Sequence, residues 1–113
     1  MTNLNRALAL ERVGGDEQLL REIAVLFLED YPSLITQIEK AVAESDAHNL
    51  ERAAHSLKGS VANFGSDAAY QAAFDLEQMG RSKDLQNMHE AHARLVTVMS
   101  HVCPELKALS HEV

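Results

Sequence analysis

Very little in this sequence interrupts a helix. Two prolines and five glycines are spread over 113 residues, and the long stretches between them are dominated by Ala, Leu, Glu and Gln, all good helix formers. An all-α fold is the expectation. Cysteine is scarcer still. Cys103 stands alone, which excludes an internal disulfide and fits a reducing compartment. Basic residues number 10 against 17 acidic ones, for a formal net charge of −7. Phosphate backbones and anionic membrane surfaces repel such a chain unless its basic side chains cluster. The longest basic grouping is Arg81 with Lys83, so nucleic acid is not an expected partner. No apolar run reaches membrane-spanning length, and Met1 to Arg6 lack the apolar core of a signal peptide. A hydrophobic fraction of 46% is enough for a real core. The sequence therefore predicts one soluble, cytoplasmic domain over residues 1–113, with its core at about 4–103, a C-terminal tail at 104–113 and no membrane insertion.

The punctuation divides the chain into helical pieces. A short apolar segment from Leu4 to Val13 ends at Gly14-Gly15, read as a helix stop and turn rather than a phosphate loop. Asp16 then caps a helix with Leu19, Leu20, Ile23, Leu26 and Phe27 inward. Pro32 predicts a break or kink near Tyr31, before a helix that presents Leu34, Ile35, Ile38, Ala41 and Val42 and ends near Glu44. Ser45 or Asp46 caps the next helix, which runs to about Phe64. After Gly65, Ser66 or Asp67 caps another, with Ala69, Ala72, Ala73, Leu76 and Met79 inward and Gly80 closing it. The last helix is expected from about Asp84 to Cys103, with Leu85, Met88, His92, Leu95, Met99 and Val102 as its apolar stripe. Pro104 stops or bends it. Short connections between amphipathic helices favour an antiparallel four-helix bundle, with the short N-terminal helix as an extra piece over one end.

The segment Asp46 to Phe64 carries the chemistry. At about 100° per residue it separates an apolar face of Leu50, Ala53, Ala54, Leu57, Val61 and Phe64 from a face of His48, Glu51, Arg52, His55, Lys58, Gly59, Ala62 and Asn63. His55 lies near the middle of the second face, which predicts that it meets solvent. Lys58 and Gly59, at i+3 and i+4, are its neighbours on the helix surface. A mid-helix glycine costs about 1 kcal/mol relative to alanine, which suggests that something approaches the backbone there. A solvated lysine beside a tolerated glycine is the other reading of this spacing. The chemistry that fits is phosphoryl capture. A neutral imidazole is a good nucleophile near neutral pH, and in-line attack on phosphorus needs an exposed nitrogen with a positive charge nearby. His55 is too far from a helix N-terminus for its dipole to supply that charge. Lys58 supplies it.

The run His55-Ser56-Leu57-Lys58-Gly59-Ser60, followed by Asn63, Gly65 and Leu76-Glu77, resembles the signature of histidine-containing phosphotransfer (HPt) domains. Leu10 to Asp16, leading into Phe27-Leu28 and Pro32, is also similar to these domains. The resemblance covers roughly Leu8 to Arg81. It implies a four-helix bundle with an extra N-terminal helix, phosphorylation on His55, and Lys58 steadying the phosphoryl group. It also implies that Gly59 clears space for a partner, and that Arg52, Ala62 and Asn63 share the docking surface. The implied partners are response-regulator receiver domains, with a hybrid sensor kinase among the candidate parents or partners. Glu77 stands where some members carry glutamine close to the histidine, and no catalytic role is assigned to it.

Other functions fit less well. A self-phosphorylating histidine kinase places an acidic residue next to its histidine and carries Gly-rich ATP motifs; here Ser56 follows His55 and no such motif occurs. A helical module that binds receivers without relaying phosphate is the main alternative, and a purely structural bundle the third. His89 and His92 sit at i, i+3 with no third ligand beside them, and His101, Cys103 and His111 flank Pro104, so neither a metal nor a cofactor is expected. A bundle complete within one chain is expected to be a monomer.

Overall fold

The computed structural model describes residues 4–111, and the regular structure within them is helical throughout. Both ends of the expected domain, residues 1–3 and 112–113, lie outside this range. Helix α1 spans Arg6–Arg12, α2 Glu17–Glu44, α3 Ala47–Ala62, α4 Asp67–Ser82 and α5 Met88–Ser110. Four of the starts are set by side chains. Asn5, Asp16, Asp46 and Ser66 each accept the backbone N–H three residues on, from Leu8, Leu19, Asn49 and Ala69. Such a cap stabilises a helix by about 1 kcal/mol. Between the paired candidates, Asp46 and Ser66 do the capping. Ser45 instead ends α2 in the left-handed region, at φ 52°.

Pro32 does not break its helix. Helix α2 runs straight through it for 28 residues, close to 42 Å at about 1.5 Å per residue, against a longest molecular dimension of 44 Å. Pro32 lies on the exposed side, where water can satisfy the carbonyl that loses its intrahelical donor. Pro104 is likewise exposed within α5. That helix continues to Ser110 and buries Leu106 and Leu109, so the part of the expected tail up to Ser110 is helical and contributes two side chains to the core. Its start is also later than expected, at Met88.

Helices α2, α3, α4 and α5 form a ring in which each packs against its neighbours, while among the described residues the diagonal pairs α2–α4 and α3–α5 bring no Cα atoms within 8 Å of each other. The connections are too short for anything but antiparallel neighbours; Ser45 and Asp46 alone join α2 to α3. Inside the ring lie Leu20, Phe27, Ile38, Leu50, Leu57, Phe64, Leu76, Leu95 and Met99. Phe27 meets Phe64 edge-on at 5.8 Å between ring centroids, a geometry that adds about 1 kcal/mol to the burial itself. Helix α1 sits at the end where α3 passes into α4. Its Asn5 N–H donates to the Phe64 carbonyl at 3.0 Å, and Ala9 is buried.

Two inward assignments need correcting. Leu19 and Leu26 are 40% and 58% exposed. The buried stripe of α2 is instead Leu20, Ala24 and Phe27, continuing to Ile38, Ala41 and Val42. The apolar positions of this helix span more than one face, so periodicity alone rotates the stripe the wrong way. Gly80 does not close α4 either. It is buried two residues before the helix ends, and a Cβ there would lie 2.6 Å from both the Ala47 carbonyl oxygen and the Glu51 nitrogen. Gly80 lets the backbones of α3 and α4 approach each other.

Candidate functional site

Helix α3 turns its apolar stripe inward as the spacing requires. Leu50, Ala53, Ala54, Leu57 and Val61 are buried. His55 lies on the opposite face with its side chain 67% exposed. The ring is nevertheless anchored. His55 Nδ1 lies 2.5 Å from Oε2 of Glu77, which reaches across from α4 and is itself only 1% exposed. The other oxygen of the same carboxylate, Oε1, accepts from Lys58 Nζ at 2.7 Å. Arg81 Nη2 approaches Oε2 at 3.4 Å, and Arg81 Nε donates to Glu51 at 2.8 Å. One buried carboxylate thus gathers the histidine and two cations.

The protonation state follows. Burial pushes the Glu77 carboxyl up, but the hydrogen bonds from Lys58 and His55, reinforced by the charges of both, outweigh it and hold the group below its usual value. Glu77 is therefore ionised at neutral pH and can only accept. Its partner nitrogen, Nδ1, must carry the ring proton, which leaves Nε2 on the solvent side as a lone pair. Lys58 is restrained on its other flank by two aromatic rings, with Nζ 5.3 Å from the Phe74 centroid and 5.8 Å from that of Tyr70.

His55 opens onto a groove of about 810 Å³ between α2 and α3, lined by Gln37, Lys40 and Glu44 of α2 and Arg52 of α3, together with Arg81 of α4. Of the four residues the resemblance assigns to docking, only Arg52 lines this groove. Gly59 and Asn63 lie further along α3 and are exposed, with Ala62 partly buried between them. A Cβ at Gly59 would meet nothing within 4 Å, so no contact inside the chain requires a glycine there.

The residue that sequence reasoning left without a role is Glu77. A signal for it exists: it is the one acidic residue among the buried positions of α4, beside Ala73, Leu76 and Gly80. A charge on an apolar stripe needs partners, and Lys58 and His55 are those partners. The histidines of α5 assemble nothing comparable. His89 is exposed, and among the described residues no three His, Cys, Asp or Glu side chains are grouped to hold a metal ion. Cys103 is half-buried, and burial pushes its thiol up.

The family model for the Hpt domain matches residues 22–112. The chain belongs to the Hpt domain family. It is also 32% identical over 102 residues to the sensor protein TorS of Escherichia coli (strain K12), an alignment that covers 86% of this chain and 11% of that protein. No solved structure matches it. As an Hpt domain it is a phosphotransfer module of two-component signalling, built as a helical bundle. No helix among its described residues is long and apolar enough to cross a membrane.

Proposed function

We propose that this Hpt domain carries a phosphoryl group on Nε2 of His55, exchanged with the aspartates of response-regulator receiver domains. One observation carries the reading: an exposed imidazole whose inward nitrogen is held by a buried carboxylate, so that the outward nitrogen is the nucleophile. Nε2 attacks the phosphorus of an aspartyl phosphate, the P–O bond breaks, and its electron pair stays on the departing carboxylate. Return to another aspartate is the reverse. No general base is needed, because Nε2 arrives without a proton. Lys58 exchanges part of its contact with Glu77 for the phosphoryl oxygens and balances their charge.

Gly59 leaves the backbone open beside the histidine, and Arg52, Ala62 and Asn63 complete the surface on which a receiver seats. The domain acts as a carrier rather than an enzyme, and the ring of helices closed within one chain supports a monomer. It works in the cytoplasm, either free or as part of a membrane-anchored hybrid sensor kinase.

The test is incubation with a panel of phosphorylated receiver domains, followed by mass analysis at neutral pH, with His55→Gln alongside. The expected result is one acid-labile phosphoryl group on His55, absent from the variant. Because the ring is exposed but bonded to the buried Glu77, the variant should still fold, with a loss of about 1 kcal/mol. Binding without transfer would replace the carrier reading with that of a non-relaying interaction module.

A further inference from the structure

Lys58 meets two unlike surfaces on α4, a carboxylate and a pair of aromatic rings. We propose that Tyr70 and Phe74 are positioning residues for Lys58, rings that keep its ammonium beside His55 while leaving its charge free for phosphoryl oxygens. The inference rests on the reading above, in which His55 is the acceptor and Lys58 balances the charge of the group it receives.

The chain has three phenylalanines, two tyrosines and no tryptophan, so the place of each ring is informative. Tyr31 and Phe64 both pack against Phe27. Tyr70 and Phe74 lie elsewhere, one turn apart on α4, with ring planes at 90° and centroids 6.4 Å apart. Phe74 is only partly buried and Tyr70 is 39% exposed, so neither is a core side chain. Both rings are instead within cation–π range of one atom. Lys58 Nζ is 5.3 Å from the Phe74 centroid and 5.8 Å from that of Tyr70.

A lysine has a long flexible stem and a strongly hydrated head, so its ammonium ordinarily swings free in water. Here the side chain is 20% exposed. Glu77 accepts from Nζ at 2.7 Å, but the same carboxylate also serves His55 and Arg81. A second carboxylate in place of the rings would hold the ammonium by cancelling its charge. A ring face attracts a cation through its quadrupole and carries no charge of its own. Lys58 is thus restrained and still presents positive charge to an incoming phosphoryl group. Leucine at either position would cover the lysine stem equally well and would offer the ammonium nothing.

The experiment measures single-turnover transfer from a phosphorylated receiver domain, over a range of receiver concentrations. It compares the full chain with Phe74→Leu, Phe74→Tyr, Tyr70→Leu, Lys58→Met and the double variant Lys58→Met with Phe74→Leu. Phe74→Leu should lower the maximal rate about fivefold, and Tyr70→Leu, at the more exposed ring, about twofold. The half-saturating receiver concentration should not change. Phe74→Tyr keeps a ring face and should transfer at close to the unaltered rate. In the Lys58→Met background Phe74→Leu should have no further effect, because the two side chains act as a unit. The same fivefold loss in that background would overturn the proposal and make Phe74 a packing residue of α4. Unchanged maximal rates in both Phe74→Leu and Tyr70→Leu would overturn it as well, and a raised half-saturating concentration alone would place the rings in receiver docking instead. No label on His55 of the unaltered chain would overturn the acceptor reading, and normal transfer by Lys58→Met would remove Lys58 from the chemistry; either takes this inference with it. One measurement needs no variant: in NMR spectra of the unaltered chain, ring currents should shift the Lys58 ε-methylene protons upfield. Unshifted resonances would sink the idea even if Phe74→Leu fails to fold.

Discussion

The two seams flanking this bundle handle buried polar groups in opposite ways. Between α3 and α4 the backbones are drawn together at Gly80, and the buried carboxylate of Glu77 is bonded through both oxygens. Between α2 and α5 the half-buried His92 has an Nε2 that is out of contact with water and 3.9 Å from Glu39, beyond hydrogen-bond reach. Both exposed prolines also lie on α2 and α5. The difference teaches where placement matters. The carboxylate beside the exposed histidine is fully partnered and fixed by close packing. A polar group that serves the scaffold is tolerated without a partner, at some cost in stability.

The sharpest way to break the comparison is to separate α3 from α4. In Gly80→Val the new Cβ meets backbone atoms of Ala47 and Glu51, which cannot turn aside as a flexible side chain can. The loss should be about 3 kcal/mol or more in urea unfolding. Any protein that still folds should have lost the His55–Glu77 contact and with it most phosphoryl transfer. A variant with near-normal stability would show that the helices can slide apart, and that the close approach is not what fixes the site.

Next in size is the carboxylate itself. Glu77→Gln keeps the shape but gives up the charge-assisted bonds to Lys58 and His55, for an expected loss of about 2 kcal/mol at neutral pH. The pH dependence has a definite sign. The carboxyl is held below its usual 4.5 in the folded chain, so its stabilisation is complete above the unfolded value and disappears as pH falls through the folded one. Stability of the unaltered chain should therefore drop on acidification below about 4.5 more steeply than that of Glu77→Gln. Parallel curves would mean that the contact contributes nothing net. On the other seam the same logic reverses. His92→Leu removes an unpartnered nitrogen, and the chain should become more stable by about 1 kcal/mol at pH 8; a loss of similar size would point to a water or side chain that satisfies Nε2.

The same contrast explains what could be read without coordinates. The outward face of α3 was legible because its periodicity is clean: Leu50, Ala54, Leu57 and Val61 leave no ambiguity about where His55 points. Helix α2 was harder, since Leu19, Val25 and Leu26 spread apolar side chains outside the buried stripe and Pro32 mimics a helix end. Local chemistry predicted a break there, but burial on the opposite face carries the helix through. The partnership of Glu77 with His55 spans 22 positions in sequence and depends on the register between two helices, which no single-helix pattern contains. The role of Gly80 was hidden for the same reason, because a glycine near a helix end reads as a stop until the neighbouring backbone is seen.

Gly59 provides the finest test, since it separates the needs of the fold from those of the partner. Space is open around it and its backbone is helical, so Gly59→Ala should raise stability by about 0.8 kcal/mol through helix propensity alone. If the surface beside His55 is where a receiver seats, Gly59→Ala should slow transfer slightly, and bulkier Gly59→Gln should slow it strongly while phosphoramidate still labels His55 in both. That small donor needs only Nε2, whereas a receiver needs the surrounding surface. Equal rates from the receiver and from phosphoramidate in Gly59→Gln would show that the glycine is not clearing a docking surface. A fall in both would instead indicate that bulk at position 59 disturbs the histidine itself.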